Sequence, residues 1–393
     1  MRDFAAELEQ RRDAGLYRTR RLVDGPHQPA LTTDGEPVLA FCSNDYLGLA
    51  SHPELVAAAT DGVARYGVGG AASHLICGHH SEHHRLEDRL ARFTRRSGAL
   101  FFSTGFMANL GVITALAGKG DTIFSDALNH ASIIDGCRLS GANVRIYPHG
   151  DTTALEAQLA QTQGHKLVVT DGVFSMDGDV APLRRLAQLC RQYDALLIVD
   201  DAHGFGCVGP DGRGAVLQAG LGEDEVPLVV GTLGKAFGTS GAFVAGQALL
   251  LDYLVQKARS YIYTTAMPPA LATASCRSVD LVEQGQHRRE HLARLIDRFR
   301  RETAAMGYQL MPSDTPIQPI MIGDPHEAMA LSQSLEKQGI LVTAIRPPTV
   351  PQGESRLRVT FSAAHTDQQL DRLLAALQAF APQRSQEAAL SSA

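Results

Sequence analysis

Two short apolar runs, each leading into an ionisable group, constrain this 393-residue chain more than any other feature. Leu196-Leu197-Ile198-Val199 leads into Asp200-Asp201-Ala202-His203-Gly204, and Pro227-Leu228-Val229-Val230 leads into Gly231-Thr232-Leu233-Gly234-Lys235. A continuous apolar run of this length reads as a strand buried on both faces, the pattern of a parallel sheet covered by helices. Strand candidates fall at 99–102, 122–124, 144–147, 167–170, 196–200, 227–231 and 241–245. Helical spacing lies between them, as with Leu183, Leu186, Leu189 and Cys190 over 181–193. The expectation is an α/β fold with a mostly parallel seven-stranded sheet. Ligand sites in such sheets lie at the carboxyl ends of the strands, where Asp200 and Lys235 fall.

The texture changes after about residue 280. A charged helix near 283–305 carries Leu292, Leu295, Ile296 and Phe299 on one face, and strand candidates follow at 317–322, 340–345 and 356–361. Thr366-Asp367-Gln368-Gln369 opens a last helix with a capping-box pattern. This implies four segments: an N-terminal helix and arm over 1–45, a large domain over 46–282, a smaller α+β domain over 283–382, and a polar, disordered tail over 383–393. The N-terminal segment reads as a charged amphipathic helix, with acidic residues that argue against a transit peptide and no apolar core of signal-peptide length.

Net charge is −6, the charges are mixed in sign and no long basic run occurs, which speaks against a nucleic-acid partner. No apolar run approaches the roughly 18 residues of a membrane span. The cysteines at 42, 77, 137, 190, 207 and 276 are isolated, as expected of reduced thiols in a cytoplasmic protein.

A buried strand ending in Asp, then one ending in Thr-x-Gly-Lys, is the order in which a pyridoxal 5'-phosphate (PLP) site is built. The amine of Lys235 carries the cofactor as a Schiff base, and the carboxylate of Asp200 pairs with the pyridinium nitrogen, which must stay protonated to accept electrons. Gly105-Phe106-Met107-Ala108-Asn109 follows a strand and opens a helix, so its free N–H groups suit the phosphate. His130, after the strand at 122–124, is placed to stack on a flat ring, and His203 to reach the cofactor's phenolic oxygen. Ser175 also sits just past a strand end. Arg356 and Arg358 share one side of a strand, and a guanidinium there can grip an α-carboxylate bidentately. The segment Cys77-Gly78-His79-His80-Ser81-Glu82-His83-His84 has i, i+4 histidine spacing, but Gly78 and Ser81 read as a helix start and no remote ligand set is evident, so no metal is expected.

These residues together resemble the α-oxoamine synthases, PLP enzymes of fold type I. The matching blocks are Asn44–Leu49, Gly105–Asn109, Asp171–Gly178, Asp200–Gly204, Thr232–Lys235, Tyr263–Pro269, Ile345–Pro351 and Arg356–Arg358, and the likeness runs from about residue 5 to 380. Two positions depart from the pattern: His74 stands where a small or basic residue is usual, and Asp171 where Glu is. The resemblance implies a PLP-dependent acyltransferase acting as a homodimer, with Lys235, Asp200, His130 and His203 catalytic. Gly105, Phe106, Ser175, Thr232 and Thr265 would complete the cofactor contacts, Thr265 reaching across to the partner's phosphate. Arg18, in the N-terminal helix, together with Asn44 and Arg358 would meet substrate. The wording of Met267–Pro269 and Ala344–Pro351 leans toward the member that joins L-alanine to a pimeloyl thioester, carried by CoA or by acyl carrier protein, in biotin biosynthesis. Sister members that use glycine or serine share the same PLP residues.

Overall fold

The computed structural model describes residues 2–13 and 16–381. The tail expected over 383–393 lies outside them. Seven strands form the large sheet: β1 Gly98–Phe102, β2 Thr122–Asp126, β3 Asn143–Tyr147, β4 Lys166–Asp171, β5 Leu196–Asp200, β6 Leu228–Thr232 and β7 Ala242–Gly246. Their order is β1-β7-β6-β5-β4-β2-β3. All neighbours run parallel except β7, which is antiparallel to both β1 and β6.

Two hydrophobic cores explain why these strands read as unbroken apolar runs. Phe124, Val168, Leu197, Val199, Val229 and Phe243 point into one core, while Ile123, Leu167, Ile198, Leu228, Val230 and Val244 point into the other. Alternate residues thus bury on opposite faces, and neither face can be polar. One core is closed by the helices Pro53–Tyr66 and Pro269–Glu283, which approach closely at Gly62: a Cβ there would lie 2.8 Å from the Ala270 Cα. The other is closed by the helices Gly105–Leu116 and Ala131–Ser140.

The C-terminal part holds a four-stranded sheet of Gln309–Leu310, Ile317–Gly323, Ser355–Thr360 and Thr343–Ile345, in that order. The run expected as one strand at 340–345 is two. Ile340–Leu341 pairs in parallel with the N-terminal strand Glu36–Ala40, and Thr343–Ile345 pairs antiparallel with Ser355–Thr360. Val342, buried between them, is where the chain changes sheets. The N-terminal arm is thereby stitched to the C-terminal part, further held by Arg21 on Glu336 and by the His365 ring stacked on Phe41. The first helix, Phe4–Asp13, forms, but none of its residues is buried. No described helix is long and apolar enough to cross a membrane.

One charged link fixes a loop that matters for the site. His149 lies between two carboxylates, Nδ1 2.9 Å from Asp126 at the end of β2 and Nε2 2.9 Å from Asp179. Asp179 belongs to the loop that carries Ser175. Both ring nitrogens must donate, so the two carboxylates hold the imidazole protonated and push its pKa up to about 10 against the opposing effect of burial. A pKa raised above the unfolded value stabilises the fold fully below about 6.5, and that contribution is lost as pH rises through about 10. His149→Gln is therefore expected to cost about 2 kcal/mol of unfolding free energy at pH 6. Urea midpoints should show this deficit shrinking with alkalinity and closing above pH 10; a deficit independent of pH would mean the imidazole is held neutral.

Candidate active site

Asp171, Asp200 and Thr232 end β4, β5 and β6, with Asp171 and Asp200 directly opposite one another in the ladder. Carboxyl ends of parallel strands gather side chains from distant sequence positions at one edge. Asp200 is buried there, and its carboxylate accepts from Asn109 Nδ2 at 2.5 Å and from the Ala202 N–H at 3.0 Å. Asn109 also donates to Ser132 Oγ at 2.9 Å. The neighbouring Asp201 turns the other way. Its Oδ2 accepts from the Ala215 N–H at 2.6 Å, and a Cβ at Gly204 or Gly214 would strike its carboxyl group at 2.0 and 2.2 Å. Burial pushes this carboxyl up to about 8. Of the adjacent pair, only Asp200 faces the site.

Lys235 lies in the tight turn that joins β6 to β7, and its amine is 2.7 Å from His203 Nε2. His203 Nδ1 is 2.7 Å from the Tyr46 hydroxyl, which donates to Asn44 Oδ1 at 3.1 Å. Because the single hydroxyl proton of Tyr46 goes to Asn44, His203 must donate from Nδ1 and accept from Lys235 at Nε2; the tautomer is thus assigned by its partners. Arg358 Nη2 closes the chain on Asn44 Oδ1 at 3.3 Å, while its Nε donates to the Ser175 carbonyl at 2.6 Å. Five side chains from four stretches of sequence form one line from amine to guanidinium.

Electrostatics follow from this crowding. Desolvation pushes the Lys235 amine down to about 8, with Asp200 and Asp171 opposing and Arg358 assisting. Desolvation, then the charges of Lys235 and Arg358, hold His203 well below its usual range, so its imidazole is neutral. Asp171 is raised by burial and by Asp200, and its carboxyl accepts the His130 N–H at 2.7 Å. That bond, with His130 Nδ1 2.7 Å from Ser132 Oγ, sets the exposed ring over the strand ends.

Several other expected site residues take definite places. Gly105 and Phe106 open the helix Gly105–Leu116, whose cap Thr104 accepts from Met107 N–H at 3.1 Å. Among the described residues, the N–H groups of Gly105 and Phe106 meet no acceptor. Thr232 spends its hydroxyl proton on the Gly241 carbonyl at 3.1 Å and accepts from the Gly234 N–H, so here it serves the turn. Arg356 is fully buried against Asp177 and Glu354, which makes it a structural anchor and leaves Arg358 as the guanidinium of the site. Two residues are not brought in. Arg18 lies past the first helix, not within it, and is exposed. Thr265 is exposed and pairs only its backbone, with Ser73.

Asn109, Tyr46 and Asp171 have positions in the site that residue type alone did not reveal. Each lies inside a block that carries the family likeness, which was the available signal. The donor set fits PLP on its own chemistry: an amine of lowered pKa, a buried carboxylate held by an amide, an exposed imidazole face, and a helix start with two unsatisfied N–H groups.

Comparison with known proteins agrees. Residues 36–377 match the family model "Aminotransferase class I and II". The chain is 69% identical to the 8-amino-7-oxononanoate synthase of Marinobacter nauticus over 377 residues, 96% of each chain. It is 57% identical to that of Pseudomonas putida over 381 residues, 97% of this chain and 98% of the other. Among solved structures, a serine palmitoyltransferase variant from S. paucimobilis with bound PLP–myriocin aldimine gives a TM-score of 0.91 at 31% identity, covering 96% of this chain and 98% of its own. The 8-amino-7-oxononanoate synthase of Francisella tularensis gives 0.76 at 33% identity, covering 87% of this chain and 97% of its own. On topology, site geometry and likeness alike, the chain belongs to the aminotransferase class I and II family and, within it, to the α-oxoamine synthases, PLP-dependent transferases of fold type I.

Proposed function

We propose that this protein is an 8-amino-7-oxononanoate synthase, joining L-alanine to a pimeloyl thioester with release of CO₂ and the carrier thiol. The observation that carries the reading is the continuous line Lys235–His203–Tyr46–Asn44–Arg358, which puts a proton acceptor and a carboxylate grip in one network. The near-full-length likeness to synthases of that name supplies the substrate class.

Lys235 would carry PLP, with Asp200 on its ring nitrogen, the His130 ring against its face, and the Gly105 and Phe106 N–H groups on its phosphate. Bound PLP supplies an electron sink for the pair left on the α-carbon when a proton or CO₂ departs. Arg358 binds the alanine carboxylate and orients the molecule. Lys235, with an amine pushed down to about 8, is partly neutral at physiological pH and takes the α-proton. The α-carbon then bonds to the acyl carbon, whose bond to sulfur breaks. The carboxylate leaves as CO₂, and Lys235 Nζ returns a proton to the same carbon. His203, neutral and fixed by Tyr46, keeps the amine aimed. Asn109 holds the Asp200 carboxylate in place, because a buried carboxylate without donors would take up a proton.

We infer that the enzyme is a cytoplasmic homodimer. Val68, Leu75, Ile76 and Tyr263 are exposed apolar residues on the stretches that flank Ser73 and Thr265, a face suited to a second copy. In that assembly Thr265 would reach the partner's cofactor phosphate.

Purified, PLP-loaded protein given pimeloyl-CoA should release equal amounts of thiol and CO₂ with L-alanine and little with glycine or L-serine; preference for glycine or serine would move the protein to a sister activity. Lys235→Ala should abolish turnover together with the visible absorbance of lysine-bound cofactor. Asp200→Asn should fold but lose at least ~10²-fold in kcat, whereas Asp201→Asn should change stability more than rate. Light scattering should give twice the 42.1 kDa chain mass; a single-chain mass with full activity would rule out a shared site.

A further inference from the structure

The histidine-rich segment over 74–84 has residues the proposed reaction leaves unused. His80 caps the helix Ser81–Thr94, accepting from the Glu82 N–H, and His83 Nδ1 accepts the His80 N–H at 2.9 Å. His83 Nε2 lies 2.7 Å from the Met267 carbonyl, so both of its ring nitrogens are occupied. His79, His84 and Glu87 remain.

These three converge where the chain enters the helix. His84 and Glu87 are three residues apart and share one helix face. His79 comes from the turn before it, with Nε2 3.8 Å from Glu87 Oε2, and its ring meets that of His84 edge-on at 6.0 Å. One donor atom from each of the three lies within 4.8 Å of the others. Glu87 is 7% exposed. Its Oε1 accepts the Phe101 N–H at 2.8 Å, while no described residue donates to Oε2 and no lysine or arginine pairs with it. A buried carboxylate oxygen within 4.8 Å of two imidazole nitrogens makes, with them, a set of three donors. The far side of His79 is fixed as well: Nδ1 lies 3.0 Å from His74 Nδ1, and the His74 ring is stacked on Tyr261 at 4.8 Å.

We propose that His79 Nε2, His84 and Glu87 Oε2 form a binding site for a divalent first-row transition metal ion, with zinc the best match. Two imidazoles and one carboxylate are a sufficient protein ligand set for zinc, leaving one position for water or a further ligand. Magnesium and calcium prefer all-oxygen sites, and the two histidines select against them. At metal–donor distances of about 2.0–2.2 Å, tetrahedral ligands stand roughly 3.4 Å apart; His79 Nε2 and Glu87 Oε2 are already 3.8 Å apart, and the exposed His84 ring, its donor within 4.8 Å of both, can rotate to join them. His79 Nδ1–H, donated to His74, is the outer hydrogen bond that ligating histidines ordinarily make.

The test is direct titration of untagged, PLP-loaded protein, stripped with chelator, using Zn²⁺ by calorimetry and Co²⁺ by visible spectroscopy. One equivalent per chain should bind, with the d–d bands of a low-coordinate cobalt site and unchanged cofactor absorbance. His84→Ala, on the surface and safe for folding, should weaken binding at least ~10-fold, and Glu87→Gln should do the same where its melting temperature matches wild type. Absence of stoichiometric binding would overturn the site. So would His84→Ala binding as tightly as wild type, which would locate the metal at Cys77 or in the cofactor pocket.

Discussion

The desolvated amine of Lys235 is the constraint on which the rest of the site depends. A lysine in water stays protonated and takes nothing from an α-carbon. Here the cost of burying the charged form exceeds the attraction of Asp200 and Asp171, and the amine is pushed down to about 8. Those same carboxylates are tolerated only because Asn109, Ala202 N–H and His130 N–H donate to them. Removing any of these donors would disturb both carboxyl groups at once, since Asp171 and Asp200 face each other across the ladder. The strand ends thus hold a set of mutually compensating groups, not a list of independent contacts.

The line from Lys235 to Arg358 also binds the architecture together. Lys235 and His203 lie on the loops that follow strands β6 and β5 of the large sheet, Asn44 and Tyr46 on the segment after the N-terminal arm, and Arg358 in the C-terminal sheet. The parallel pairing of Ile340–Leu341 with Glu36–Ala40 brings that arm beside the C-terminal strands, which is what allows Asn44 to meet Arg358. Arg356, two residues away on the same side of its strand, is spent on Asp177 in the Ser175 loop. One guanidinium steadies the wall while the other joins the line of site residues through Asn44 and the Ser175 carbonyl.

Much of the large sheet was legible, because strands buried on both faces must be apolar throughout and stop abruptly where the chain meets a site. Asp200 stands out because it ends such a run directly, and Lys235 because it follows one by a short Gly- and Thr-containing stretch. The strand at 340–345 was misread as one because apolar alternation reports burial and not the identity of the pairing partner, and Val342 stays buried while the chain changes sheets. Asn109, Tyr46 and Asp171 were illegible in role because each acts through another side chain distant in sequence, and residue type carries no trace of that partner. Arg18 and Thr265 stay exposed and apart from the site within one chain, Thr265 pairing only its backbone, with Ser73.

The antiparallel placement of β7 has a consequence for how this molecule can change. The connections from β1 through to β5 each run through a helix, where added residues are absorbed as longer helices or wider loops. β6 and β7 are neighbours of opposite direction, so the segment between them is a short turn, closed by Leu233 N–H on Gly241 O and Thr239 N–H on Leu233 O, both at 2.9 Å. It is pinned at Gly238, whose φ of +64° and 2.5 Å approach of a Cβ to Ala50 N admit no side chain. An inserted residue there has nowhere to go without displacing the amine. Length variation in descendants of this sequence must therefore accumulate in the helical connections, and Lys235 drifts least because it hangs on a connection that lacks slack.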